Sequence, residues 1–413
     1  MRRFFTPVLV SALSAWGQQT RTDELETQRS QHAVIKTPET NSGAENFLRW
    51  VKDERMLQRL NYGYNGLGLK LGGLVTGGGF AFGPQYLRDD LKDGQILVNA
   101  SAQISFQNYQ KLNARFVMPK LLNDKAFFGV QGTYFNYPGI NYYGPGPDSQ
   151  KVRTNYRLEN TAVDGTAGIK IQPWLRVGGG AGYLAVNTGP GNDDRFSSTD
   201  QLFPPVLVPG IDRQANFLRY GVFGQIDYRD DQFAARQGGN YVVQYTRYND
   251  QKFGTYSFNL LDIDLQQYIG FLNKSRVFAL RAHTKLTDPL DNNFVPFYLQ
   301  PVVGGPDDLR GFRAFRFSGR NSLVLNGEYR WAIFSGCDGA VFVDGGKVFN
   351  NRGQLNFKDL EGSVGFGLRF NARNRTFMRF DVGFSHEGVQ VWFKFSDSFF
   401  QRPMGTADSQ PIL

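Results

Sequence analysis

The sequence predicts an all-β protein, a transmembrane antiparallel β-barrel, and three observations carry that expectation. Apolar and polar residues alternate with a period of two through segment after segment, as in strands with one lipid-facing and one lumen-facing side. Aromatic residues make up 15% of the chain, with 37 Phe and 19 Tyr beside 48 Gly, yet the mean hydropathy is negative. That balance suits alternating strands and many turns better than the Leu/Ala-rich helices of a large soluble enzyme. The segments are joined by connections that are short and long in turn, as at the two ends of an outer-membrane barrel. A soluble sandwich also alternates; the export signal, the aromatic density and the long strands favour the barrel.

Taken in order, residues 1–17 open with Arg2 and Arg3, continue through an apolar run from Phe4 to Leu13 and end in small residues. Ala15 and Gly17 stand where a signal peptidase reads, so cleavage before Gln18 is expected. No later stretch is apolar for the roughly 18 residues that a transmembrane helix needs, and an exported chain without one is either free or a closed barrel. Residues 18–60 read as a short periplasmic segment, polar at first, then with Phe47, Leu48, Trp50, Val51, Met56 and Leu60 on one face of a short helix. The barrel is expected over 61–413, with a polar tail beyond Phe400.

Within the barrel, Ile96, Val98, Ala100, Ala102, Ile104 and Phe106 oppose Gln95, Asn99, Ser101, Gln103 and Ser105, and Leu112, Ala114, Phe116 and Met118 oppose Lys111, Asn113 and Arg115. The pattern returns in 126–135, 156–170, 174–186, 216–228, 240–248, 255–268 and 277–286, and is sharpest in Val364, Phe366, Leu368 and Phe370 and in Met378, Phe380, Val382 and Phe384. Two segments change phase, near Asn160–Asp164 and at Leu260–Leu261, and read as bulges or as strands that extend beyond the membrane. About fifteen strands are legible; a bacterial barrel needs an even number, and the missing strand is placed in the glycine-rich stretch 62–86. Residues 119–124, 172–173 and 230–238 read as periplasmic turns, and 138–153, 187–213 and 287–318 as surface loops.

One stretch stands apart. From Val302 the chain reads Val-Val-Gly-Gly-Pro-Asp-Asp-Leu-Arg-Gly-Phe-Arg, then Asn-Gly-Glu-Tyr-Arg-Trp, then Val-Phe-Val-Asp-Gly-Gly-Lys-Val. As strands, the last two segments put Glu328 on one face with Val324, Asn326 and Arg330, and Asp344 on one face with Ala340 and Phe342. A loop bearing Arg310 is expected to fold against that face, because a guanidinium presents several donors in a fixed fork.

These residues resemble the BamA/TamA-type outer-membrane assembly barrels, the bacterial surface-antigen family. The resemblance implies a sixteen-strand barrel in which a long extracellular loop tucks into the lumen and ends in the motif matched by Leu309, Arg310, Gly311 and Phe312, with Glu328 and Asp344 as its partners. It also implies a lateral seam between the first and last strands, the route by which client barrels enter the membrane. Here the seam is assigned to Gly77, Gly78 and Gly79 against the stretch from Gly388 to Phe395, because glycine weakens a strand; a tight turn is the other reading of those three glycines. The amino-terminal segment is too short for the family's periplasmic POTRA domains.

The functional expectation is an outer-membrane protein of a Gram-negative bacterium that assists insertion or translocation of proteins or lipids through this seam. The alternative is a passive pore or structural surface protein. Expected partners are outer-membrane lipids, unfolded outer-membrane protein clients or a separate periplasmic protein. The formal charge is +9, but basic residues are scattered with no run to track a nucleic-acid backbone, so no nucleic acid is expected. His32, His283 and His386 lie in no recognisable nucleophile or ligand constellation, and Gly362-Ser363-Val364-Gly365 lacks the first glycine of a nucleophile elbow. Neither enzyme activity, metal nor cofactor is therefore expected. The single Cys337 excludes an internal disulfide and reads as a small buried residue.

Overall fold

The computed structural model of the protein describes residues 65–334, 336–372 and 375–395. The export signal, the segment 18–60 and the tail after 395 lie outside the described residues. Alternating sequence becomes sixteen strands in one antiparallel sheet that follows chain order, a nearly closed barrel. They are β1 (Leu67–Gly73), β2 (Phe80–Leu91), β3 (Ile96–Ser105), β4 (Gln110–Leu121), β5 (Ala126–Tyr142), β6 (Thr154–Gln172), β7 (Leu175–Pro190), β8 (Asn216–Asp227), β9 (Gly238–Asp250), β10 (Phe258–Phe271), β11 (Arg276–Pro289), β14 (Asn321–Phe334), β15 (Cys337–Phe349), β16 (Glu361–Ala372), β17 (Arg375–Ser385) and β18 (Gly388–Lys394). Two short strands, β12 (Val302–Val303) and β13 (Phe317–Ser318), pair with each other inside the loop that joins β11 to β14. A four-residue helix, α1 (Thr199–Leu202), interrupts the loop between β7 and β8.

Period two sorts the side chains as expected. Leu67, Leu69, Leu71, Leu112, Phe116, Val341, Val343, Val389, Val391 and Phe393 are exposed on the outer face, whereas Asn99, Ser101, Gln103, Asp264, Asn326, Glu328 and Asp344 are buried on the inner one. Short turns close one end. Three of them, 92–95, 122–125 and 272–275, carry runs of left-handed residues: Lys92, Asp93 and Gly94; Leu122, Asn123 and Asp124; Leu272, Asn273 and Lys274. Mirror-image turns of this hand match the right-handed twist of the strands they join.

The expected bulges at the two phase changes are not there. β6 pairs with β5 and β7 without a shift from Asn160 to Asp164, and β10 pairs continuously with β9 and β11 through Leu260 and Leu261. β6 runs for 19 residues with Asn160–Asp164 near its middle, and both faces of β10 are covered by protein where the apolar pair occurs. Leu260 packs inward on an aromatic cluster, and Leu261 packs outward with Leu286, Leu323 and Phe349. That cluster caps the long-loop end: Val208, Val295, Phe297 and Tyr298 from the loops pack on Tyr142, Tyr156, Phe217, Tyr248 and Phe258 from the strands.

At the start of the barrel, the stretch 62–86 supplies both β1 and the first half of β2. Gly77, Gly78 and Gly79 lie in the turn between those strands, not in a strand. Gly77 and Gly79 take φ of +88° and +77°, a conformation that costs a glycine little and other residues more.

Candidate functional site

The inner faces of β14 and β15 build the floor of the site. In their register Glu328 stands opposite Phe342, and Asn326 opposite Asp344. The two carboxylates are therefore diagonal neighbours on one face, within reach of a single long side chain. On the next strand Gly365 faces Phe342 and Ser363 faces Asp344. A Cβ at Gly365 would overlap the Phe342 ring, so the glycine gives that ring room to lie flat against the wall.

Onto this floor the loop 290–320 delivers Arg310. Its Nε and Nη2 donate to the two oxygens of Asp344 at 2.9 and 2.7 Å, and its backbone N–H donates to Asp344 Oδ2 at 3.1 Å. Nη1 donates to Glu328 Oε2, and the guanidinium lies 3.5 Å from the centre of the Phe342 ring. A planar, delocalised cation suits this position, forked onto one carboxylate while stacked on an aromatic face. The side chain is buried together with both acids.

The loop is fitted tightly where the motif requires it. Gly311 passes so close to β16 and β17 that a Cβ would lie 2.6 Å from Ser363 Cβ and 2.7 Å from the Phe384 carbonyl oxygen. Phe312 and Leu309 are fully buried with Val303, Phe317, Val324 and Val348, and the Phe312 and Phe317 rings meet edge to face at 5.4 Å.

A wider charge network surrounds the triad. Glu328 also accepts from Arg330 Nε at 2.7 Å and from Arg369 Nη2 at 2.7 Å. Arg369 pairs onward with Asp381 at 2.7 Å, which faces Arg379 at 3.4 Å, and Arg379 pairs with Asp307 back in the loop. On the other side Arg281 forks onto Asp264 and donates to the Asp307 carbonyl at 3.0 Å. His283 bridges Asp262 and Arg281 at 2.9 and 3.1 Å, a hydrogen-bonded position in the lumen. His386 lies instead in the turn between β17 and β18, against Phe312. Among the described residues no group of three His, Cys, Asp or Glu is placed to hold a metal ion.

The structure thus brings Leu309, Arg310, Gly311, Phe312, Glu328 and Asp344 into one cluster. Sequence reasoning missed Arg369, Asp381, Arg379 and Asp307, although each charge on β16 and β17 falls on the inward side of an alternating strand. It also missed why glycines share that side: Gly383 carries the Arg310 carbonyl, which a Cβ would overlap.

At the seam, no ladder joins β1 to β18 among the described residues. A cavity of about 570 Å³ lies between them, lined by Leu71, Gly72, Val75, Phe80, Trp392 and Phe395. Phe395 reaches across it, with its ring 6.1 Å from that of Phe80. Gly77 and Gly79 line the same cavity. Gly388 opens β18 with φ of +125° after the two-residue turn from Ser385.

Residues 91–399 match the Omp85 superfamily domain. Among solved structures, the fold is similar to BamA from Haemophilus ducreyi lacking POTRA domains 1–3, at 15% identity over 81% of this chain and 70% of that one, with a TM-score of 0.59. It is also similar to CdiB from Escherichia coli, at 12% identity over 78% of this chain and 60% of that one, with a TM-score of 0.56. No match is found among curated proteins. The two structural likenesses speak for the fold, and the domain match extends over well more than half of the sequence: the chain belongs to the Omp85 superfamily.

Proposed function

We propose that this protein resides in the outer membrane of a Gram-negative bacterium, reached through the export signal at residues 1–17, and assists insertion or translocation of proteins, or of lipids, through the seam between β1 and β18. The observation that carries this reading is the pair of sheet edges that meet without a ladder. A closed barrel leaves no edge, whereas here the backbone of seven-residue β1 forms a ladder with β2 alone and that of β18 with β17 alone among the described residues. Unpaired edge strands are templates for another strand, and the cavity between them offers apolar side chains, Leu71, Val75, Phe80 and Phe395, beside the polar Thr76, Gln107 and Lys394. Gly77–Gly79 then serve as the turn at one end of the seam, and the Arg310 cluster as the pin that holds the inserted loop.

The rival reading, a passive pore or structural surface protein, is disfavoured by the same loop, which fills part of the lumen with paired charges. The test is the rate at which a urea-denatured outer-membrane protein folds into liposomes with and without the purified barrel, with Arg310→Ala as the control. Acceleration that the variant loses supports the proposal. No acceleration, under conditions where a known assembly barrel succeeds, refutes it and makes channel conductance the next measurement.

A further inference from the structure

β18 is seven residues long and is hydrogen-bonded through its backbone to β17 only, among the described residues. A short strand held along one side needs a second attachment to keep its place, because its other row of N–H and C=O groups has no ladder partner. The inward face of β18 carries Trp392 and Lys394, and both reach the inserted loop. The indole Nε1–H of Trp392 donates to the carbonyl oxygen of Arg310 at 2.7 Å, and Lys394 Nζ pairs with Asp307 at 3.0 Å. Two more ties run along the same hairpin: Ser385 Oγ donates to the Gly311 carbonyl at 2.7 Å, and Arg316 pairs with Glu387 at 2.9 Å in the turn. Among the described residues none of the loop's hydrogen bonds reaches β1.

We infer that Trp392 and Lys394 latch the last strand to the inserted loop, so that the loop sets the position of one side of the seam. Trp392 is a positioning residue in this arrangement. The carbonyl it binds belongs to the residue whose guanidinium is fixed on β14 and β15, and Gly383, by lacking a side chain, lets that carbonyl lie against β17 within reach of the indole. One residue therefore joins the wall of the barrel, through the loop backbone, to its last strand. The inference rests on reading the seam as the working part of the protein.

The test is hydrogen–deuterium exchange on the full chain in detergent micelles, comparing the native protein with Trp392→Phe, which keeps the aromatic bulk and removes the donor, and with Lys394→Met, which keeps the stem and removes the charge. Loss of one hydrogen bond should speed exchange of the 388–394 amides by about tenfold, with no change in β8 to β11. Unchanged exchange in both variants would overturn the latch, and so would acceleration spread evenly over the barrel, which would mark Trp392 as an ordinary packing residue. The liposome assay is read separately. A selective effect in β18 with no acceleration of client folding would leave the latch standing and remove the insertion reading.

Discussion

Arg310→Ala should act through one carboxylate far more than through the other. Removing a partner from a buried ion pair costs about 3–5 kcal/mol, because the remaining charge is left without compensation. The two acids differ in what they retain. Glu328 keeps Arg330 at 2.7 Å and Arg369 at 2.7 Å, so its charge stays balanced. Asp344 keeps only neutral donors, Asn326 Nδ2 at 2.9 Å, Ser363 Oγ at 3.4 Å and the backbone N–H of residue 310 at 3.1 Å, so the stranded charge lies there. Adding Asp344→Asn to Arg310→Ala should recover about 1–2 kcal/mol of the loss, since it removes an uncompensated buried charge. Adding Glu328→Gln should deepen the loss by a similar amount, because Arg330 and Arg369 then lose their shared anion. The measurement is urea unfolding of the four proteins in detergent, followed by the heat-dependent shift in gel mobility between folded and unfolded barrel. If the two double mutants move in the same direction, the division of charge between Asp344 and Glu328 drawn from these contacts is wrong.

Gly311→Ala should destabilise the barrel by about 1–3 kcal/mol through overpacking against Ser363 and Phe384, while Gly353→Ala, whose Cβ meets nothing within 4 Å, should stay within about 0.5 kcal/mol in the same titration. Phe312→Ala should cost about 3–5 kcal/mol, the usual range for truncating a buried phenylalanine; a loss below about 1 kcal/mol would show that the loop is not packed as described. Cys337, only 2% exposed, should resist a maleimide dye in the folded barrel and label fully after urea denaturation, and rapid labelling of the native protein would contradict its burial.

Much of the wall was legible because a strand in a membrane barrel reports its two environments residue by residue, and β3, β4, β16 and β17 do so cleanly. Periodicity failed where protein covers both faces of a strand. At Leu260 and Leu261 both faces are covered by protein, so the sequence loses its contrast while the backbone continues unbent. The glycines at 77–79 were harder still. Composition shows that a stretch is glycine-rich, but whether the residues weaken a strand or make a turn depends on φ, which composition does not contain. In the site, Arg310, Glu328 and Asp344 stood out as charges in apolar company. Arg369, Asp381, Arg379 and Asp307 did not, because lumen-facing charges are ordinary in a barrel and their chain of pairings arises only when β16 and β17 meet the loop. Trp392 was hidden for a related reason: on an aromatic-rich final strand an inward indole looks like its neighbours until an acceptor is placed beside it.

The order of the strands bears on how the chain reaches this state. Among the described residues every ladder of the wall joins strands adjacent in the sheet and consecutive in chain order, so the sheet can grow hairpin by hairpin with modest loss of chain entropy at each step. The loop is different. Although other parts of it touch earlier strands, the partners of Arg310 are Glu328, 18 residues after it, Asp344, 34 residues after it, and Trp392, 82 residues after it, all downstream in the chain. An amino-terminal fragment ending before β14 therefore contains the motif and none of these partners. Seating of Arg310 belongs to the last stage of folding, and the buried guanidinium registers that the final five strands of the wall have arrived.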